Sequence, residues 1–215
     1  NIIYLGDTAR VPYGIRSPET IIRYSFECTD FLLKQNIKLL VVACNTVSAI
    51  GIHEIRKKVS IPVIGVIEPG AKAAVNLTKN KRIGVIGTEA TIKSNAYLKA
   101  IKSIDADVDV VELSCPLFVP LVEEGWTEGP IARLVAERYL KEMTDMRVDT
   151  LVLGCTHYPL LKSVIYEVMD NVYLVDSAIE TAKIVRDMHS GNDMLRTNEY
   201  EGIKKFFVTD SVDKF

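Results

Sequence analysis

Two cysteines stand where the sequence could do chemistry. Cys44 closes the apolar run Leu-Leu-Val-Val-Ala at 39–43 and is followed by Asn45, Thr46 and Ser48. Cys155 closes Leu-Val-Leu-Gly at 151–154 and is followed by Thr156 and His157. Each copy reads as a buried strand, then a thiol, then small polar residues opening a helix. In open parallel sheets, ligands bind outside the carboxyl ends of the strands. A free cysteine titrates near 8.5, and a helix start or a nearby cation lowers that value. Both thiols are therefore expected to be partly ionised and able to act as bases. A covalent hydrolase needs one nucleophile, a redox pair needs adjacent sulfurs, and a zinc site needs three or four ligands at a recognisable spacing. Two bases on either side of one carbon suit stereoinversion. One takes a proton from one face of a carbon acid, and the other returns a proton to the opposite face.

The neighbours supply binding groups. Asn45, Thr46 and Thr156 are expected to hold the charged ends of a small substrate, with the N–H groups of the helix starts. Each alone is equally well explained as an N-cap. Tyr13 and Gly14, in the turn-forming stretch 10–14, offer backbone contacts near the same rim. His157 can orient or protonate the thiol beside it, or merely cap a helix. Thr88 and Thr91 read as helix caps or further substrate contacts. Gly84 and Gly87 form only half of a dinucleotide fingerprint. Cys28 falls on an apolar helical stripe and reads as an inert core thiol. Cys115 has Pro, Leu, Phe and Val after it, and reads as structural. His53 and His189 read as surface histidines.

The elements that must position these groups follow from the rest of the chain. With 215 residues, 48% of them hydrophobic, it is long enough for one large or two small domains. A net charge of −2 without a basic block gives no sign of nucleic acid or of an anionic membrane. No apolar run approaches the roughly 20 residues that span a bilayer. Four cysteines with no CxxC pair, and no leader pattern, fit reduced thiols in a cytoplasm.

Strands are expected at 1–6, 39–43, 63–67, 82–87, 108–113, 148–153 and 172–175, with one more near 206–209. Between them lie helices starting at the Ser17-Pro18-Glu19 cap and covering 49–59, the stretch after Glu68, 92–104, 130–144, the stretch after Pro159, and 178–189. On the first helix, Ile21, Tyr24, Cys28, Phe31 and Leu32 make the expected buried stripe. On the helix at 130–144 it is Leu134, Val135, Arg138, Tyr139 and Met143. The stretch 115–120 reads as an apolar loop between prolines, and 190–202 as a polar loop. Alternating strands and helices mean parallel sheets with right-handed crossovers. The strand–Cys–helix unit occurs once on each side of the charged connector 79–82. The expected fold is α/β, with two similar domains, each a parallel sheet flanked by helices, and the active site in the cleft between them. The first comprises 1–78 plus about 186–215, and the second 79–185. The chain opens inside an apolar strand, which predicts residues ahead of Asn1.

Five motifs, in order, resemble bacterial glutamate racemase, within the aspartate/glutamate racemase superfamily. They are Gly-Asp-Thr-Ala-Arg-Val-Pro-Tyr-Gly at 6–14, Val-Ala-Cys-Asn-Thr at 42–46, Gly-Val-Ile-Glu-Pro-Gly at 65–70, Cys-Pro-Leu-Phe-Val-Pro at 115–120 and Gly-Cys-Thr-His-Tyr-Pro-Leu at 154–160. The resemblance covers about residues 1–185. It implies a cofactor-independent isomerase, without a metal, that interconverts L- and D-glutamate and supplies D-glutamate for peptidoglycan. It implies Cys44 and Cys155 as catalytic acid/bases, and Tyr13, Gly14, Asn45, Thr46, Thr156 and His157 as substrate contacts. It also implies Glu123 as an acid assisting the thiols, with Glu124 as the alternative, and a homodimer. The family's first strand, ending in Asp-Ser-Gly, has no counterpart in this sequence, which begins at the family's second strand.

Overall fold

The computed structural model describes residues 1–191 and 202–212. The first part of the chain lays down β1 (Ile2–Gly6), helical turns at Thr8–Arg10 and Tyr13–Ile15, and α1 (Pro18–Leu33). β2 (Leu40–Val42), α2 (Asn45–Ile50), α3 (Ile52–Lys58), β3 (Val63–Gly65) and α4 (Ile67–Leu77) follow. Beyond the connector come β4 (Arg82–Gly87), α5 (Glu89–Lys93), α6 (Ala96–Ile104), β5 (Asp109–Ser114), α7 (Phe118–Glu123) and α8 (Gly129–Asp145). β6 (Thr150–Gly154), a 3-10 turn at Tyr158–Leu161, α9 (Lys162–Val168), β7 (Tyr173–Asp176), α10 (Ser177–Gly191) and β8 (Lys204–Val208) complete it.

Every strand pair is parallel. The main sheet has the order β5-β4-β6-β7, while β2 pairs with β3 and β1 with β8. Both faces of the main sheet are covered, so β6 is buried at every position. Its side chains alternate between two cores. Leu151 and Leu153 join α7, α8 and α9 through Phe118, Leu140, Met143, Tyr158 and Ile165. Val152 joins α4 and α6 through Ala71, Ala74, Tyr97 and Ile101 on the other face. Burying one large apolar side chain contributes roughly 1.5–3 kcal/mol, so these two layers dominate stability. A smaller cluster of Ile21, Leu40, Val42, Val47 and Ile55 holds the first part together.

Register brings the strand ends level. Gly87 of β4 lies opposite both Ser114 and Gly154. The residues that follow, Thr88, Cys115 and Cys155, therefore leave the main sheet at one carboxyl edge.

Several expectations are corrected. The stretch 115–120 is no loop, because Phe118–Glu123 is helical. Pro120 sits in its first turn, where a missing N–H leaves no helical bond unmade. The helix expected at 49–59 begins at Asn45, directly after Cys44, and divides at Gly51. The helix at 92–104 is interrupted at Asn95, which is left-handed with φ 54°. On α1 the buried face is Ile21, Ser25 and Thr29, the two hydroxyls being bonded to carbonyls of Ile21 and Ser25 within the helix. Cys28 is consequently half-buried rather than in a core. On α8 the buried face is Ala132, Ala136, Leu140 and Met143, and Leu134 is exposed. Of the polar stretch 190–202, residues 192–201 lie outside the described residues, as does the side chain of His189. Among the described residues no helix is long and apolar enough to cross a membrane.

Candidate active site

The two thiols sit in matching nests. Cys44 ends the β2 segment in an extended conformation and caps α2. Its sulfur faces the backbone N–H groups of Thr46 and Val47 and the Thr46 hydroxyl. The Cys155 sulfur faces the N–H groups of His157 and Tyr158 and the Thr156 hydroxyl. In both, the donors are the amides two and three residues further on. This is the geometry that stabilises an anion at a turn.

The expected lowering of both pKa values is overturned. Burial pushes the Cys44 thiol up, and the amides only partly offset it. Burial pushes Cys155 up to about 12 against the same kind of donors. Withdrawal from water outweighs a few N–H dipoles here. A charge on Cys44 raises Cys155 further, so the two sulfurs share one electrostatic space. A pair coupled in this way favours one thiolate with one thiol over two thiolates.

Around Cys155, His157 Nδ1 lies 3.7 Å from the sulfur, and its Nε2 lies 2.5 Å from Glu123 Oε1. Helix α7 carries that carboxylate into place, and Glu123 is the member of the Glu123–Glu124 pair that reaches His157. Thr156 is exposed beside the sulfur.

Hydroxyls from both sides of the connector meet in a triangle. Thr46 Oγ1 lies 3.0 Å from Thr88 Oγ1 and 3.2 Å from Thr91 Oγ1, and the latter two are 3.0 Å apart. All three are buried. Thr88 also caps α5 by accepting the Thr91 N–H. A hydroxyl both donates and accepts and can rotate, so this neutral ring can turn its protons toward an incoming carboxylate.

Gly14 backs directly onto Thr88. Tyr13 donates its phenol hydroxyl to Asp7, which also accepts from Arg10 and from Thr209 beyond β8. That carboxylate ties the turn bearing Tyr13 and Gly14 to the far end of the chain. Asn45 is buried, and its Oδ1 accepts from the Tyr97 hydroxyl at 2.6 Å.

The structure thus gathers Gly14, Asn45, Thr46, Thr88 and Thr91 around the Cys44 side, and Thr156, His157 and Glu123 around Cys155. Cys28 stands apart, with Arg10 Nη2 3.6 Å from its sulfur. Cys115 is wholly buried, and burial raises its thiol well above the ordinary range. His53 is exposed on α3. Among the described residues no three His, Cys, Asp or Glu side chains are grouped so as to hold a metal ion. The sequence reading passed over Tyr97 and Asp7. Tyr97 shows only helical spacing with Ile101, whereas Asp7 stands inside the motif at 6–14, the one signal available for either.

Comparison with known proteins identifies the family. Residues 1–185 match the family described as Asp/Glu/Hydantoin racemase. The glutamate racemase of Geobacter metallireducens is 57% identical over 209 residues, which is 97% of this chain and 77% of that protein. A glutamate racemase isoform from Bacillus anthracis superposes with a TM-score of 0.95 at 40% identity, covering 100% of this chain and 80% of that one. The glutamate racemase of Francisella tularensis, solved in complex with D-glutamate, gives 0.93 at 39% identity, with 100% and 80% covered. The chain belongs to the Asp/Glu/Hydantoin racemase family and is an isomerase of the amino-acid racemase type.

Proposed function

We propose that this protein interconverts L- and D-glutamate without a cofactor, using Cys44 and Cys155 as opposed acid/bases. The supporting observation is the pair of matched thiol nests, with the charge of Cys44 felt at Cys155. In each turnover one cysteine, as thiolate, takes the α-proton from one face of the substrate. The electron pair moves into the α-carboxylate, and the opposing thiol delivers its proton to the other face. The product is the mirror image, and the thiolate has changed sides. The Thr46–Thr88–Thr91 hydroxyls, the Asn45 amide and Thr156 hold the carboxylates, with backbone at Tyr13 and Gly14 closing the rim. His157, oriented by Glu123, stabilises the proton distribution at Cys155. The two walls are assigned to 1–78 with about 186–215, and to 79–185. The product would serve peptidoglycan synthesis in the cytoplasm. A homodimer is expected, and light scattering that finds only a single-chain mass would remove that part.

The deciding experiment is incubation with glutamate in deuterated water. Racemisation with α-deuterium in the product is the expected result. Binding of glutamate without exchange would instead make the protein an amino-acid-binding module. Faster exchange with aspartate than with glutamate would reassign the substrate.

A further inference from the structure

We propose that Tyr97 is a positioning residue that aims the Asn45 amide at the substrate, a role that rests on the racemase reading above. Tyr97 lies on α6, in the layer facing α4, and is wholly buried. Around the ring its neighbours are mostly apolar: Ile67, Ala71, Val85, Ile101, Val152 and Val175 belong to the same cluster. A phenylalanine would fill that space equally well, and a hydroxyl taken out of water there is unfavourable unless it is bonded. It donates to Asn45 Oδ1, 52 residues earlier in the chain, at 2.6 Å, while the buried Ser177 side chain at the start of α10 also reaches the phenol oxygen.

The direction of that bond matters. Burial holds the Tyr97 phenol well above its ordinary pKa, so it remains a donor. A donor at Oδ1 fixes the amide and sends the two N–H groups of Nδ2 the opposite way. Among the described residues Nδ2 has no partner of its own. The result is a pair of aimed neutral donors, one residue beyond Cys44, that suits a carboxylate.

The ring is itself held at a fixed place. A Cβ added to Gly154 would lie 3.2 Å from one ring edge, and one added to Gly70 would lie 3.2 Å from the other. Gly154 immediately precedes Cys155. One side chain therefore touches the residue after the first thiol and the residue before the second, linking the amide's aim to both junctions.

The test is Tyr97→Phe, alone and combined with Asn45→Ala, with KM and kcat measured for both enantiomers and thermal unfolding measured alongside. Loss of one neutral hydrogen bond that acts through binding is expected to raise KM about fivefold, with kcat within about twofold of the parent. Asn45→Ala is expected to raise KM, and adding Tyr97→Phe to it is expected to change nothing more. The proposal is overturned if Tyr97→Phe leaves KM unmoved, whether or not it lowers the melting temperature. It is equally overturned if the KM rise is as large in the Asn45→Ala background, since the two side chains would then act independently. Turnover by the parent with an unmoved KM in Tyr97→Phe removes only the role of Tyr97. Absence of α-hydrogen exchange in the parent removes the racemase reading and this role together.

Discussion

Gly14 and Thr88 meet so closely that a Cβ on Gly14 would fall 2.5 Å from Thr88 Cγ2 and 2.6 Å from Thr88 Oγ1. Thr88 cannot retreat, because its hydroxyl is shared among Thr46, Thr91 and the start of α5. The turn carrying Gly14 is equally fixed, through Tyr13 and Asp7. Gly14→Ala is therefore expected to force the rim and the threonine triangle apart. Overpacking of this kind costs about 1–3 kcal/mol, and a displacement near 1 Å at a reacting site lowers turnover on the order of 100-fold. Urea unfolding and kcat/KM measure the two effects separately. A Gly14→Ala protein with the parent's kcat/KM would mean that this contact is open during turnover.

The paired thiols make a sharper expectation. Cys44→Ala and Cys155→Ala are each expected to fold and to lower racemisation by at least roughly 10²–10⁴-fold, the usual worth of a positioned acid or base. Inversion needs both, but exchange needs only one. Each single-cysteine protein is expected to wash deuterium from solvent into one enantiomer without inverting it, and the two proteins should choose opposite enantiomers. Proton NMR of the α-hydrogen reports this directly. Full racemase activity in either variant would reject the two-base mechanism.

The position of the thiols was legible in the sequence, because an apolar run ending in Cys and small polar residues marks a strand–helix junction in any parallel sheet. The state of the thiols was not. A helix start argues for ionisation, but the burial that reverses it at Cys155 depends on Tyr97, Tyr158 and the sheet packed around it. Helix α7 was hidden by Pro116 just ahead of it and Pro120 within it, which mark loops in general yet are harmless before the first turn is complete. The buried face of α1 was misjudged because Ser25 and Thr29 satisfy their hydroxyls within the helix and so can face inward. The Tyr97–Asn45 bond joins two helices far apart in the chain, and no local spacing signals it.

Glu123 fixes the His157 ring by taking Nε2, which leaves Nδ1 for the Cys155 sulfur. Glu123→Gln keeps the shape but replaces the carboxylate oxygens that hold the His157 ring. A fall in kcat of about tenfold is expected, as for other residues that orient a catalytic group. L- and D-glutamate have equal free energies, so kcat/KM must fall by the same factor in both directions. Glu124→Gln, one residue further and exposed, is expected to leave both rates within about twofold of the parent. Equal losses in the two variants would show that general acidity of the segment matters rather than the contact with His157.

Glu112 gives a pH dependence unconnected with turnover. It lies on β5 opposite Val85, and its Oε1 is buried without a hydrogen-bond partner among the described residues. Burial raises its carboxyl from 4.5 to about 6, against an N–H from Leu98 that pulls the other way. The folded protein therefore holds this proton longer than the unfolded chain does. Below about 4.5 both states are protonated, and the full stability is present. Between 4.5 and 6 the unfolded chain ionises first, so stability falls as pH rises and then levels off. With allowance for the carboxyl's partial exposure, the loss is about 1 kcal/mol. Glu112→Gln carries no charge to bury. It is expected to match the parent at pH 4 and to exceed it by about that amount at pH 8. Urea midpoints at the two pH values check it. A variant equally stabilised at both would place the effect in packing rather than ionisation.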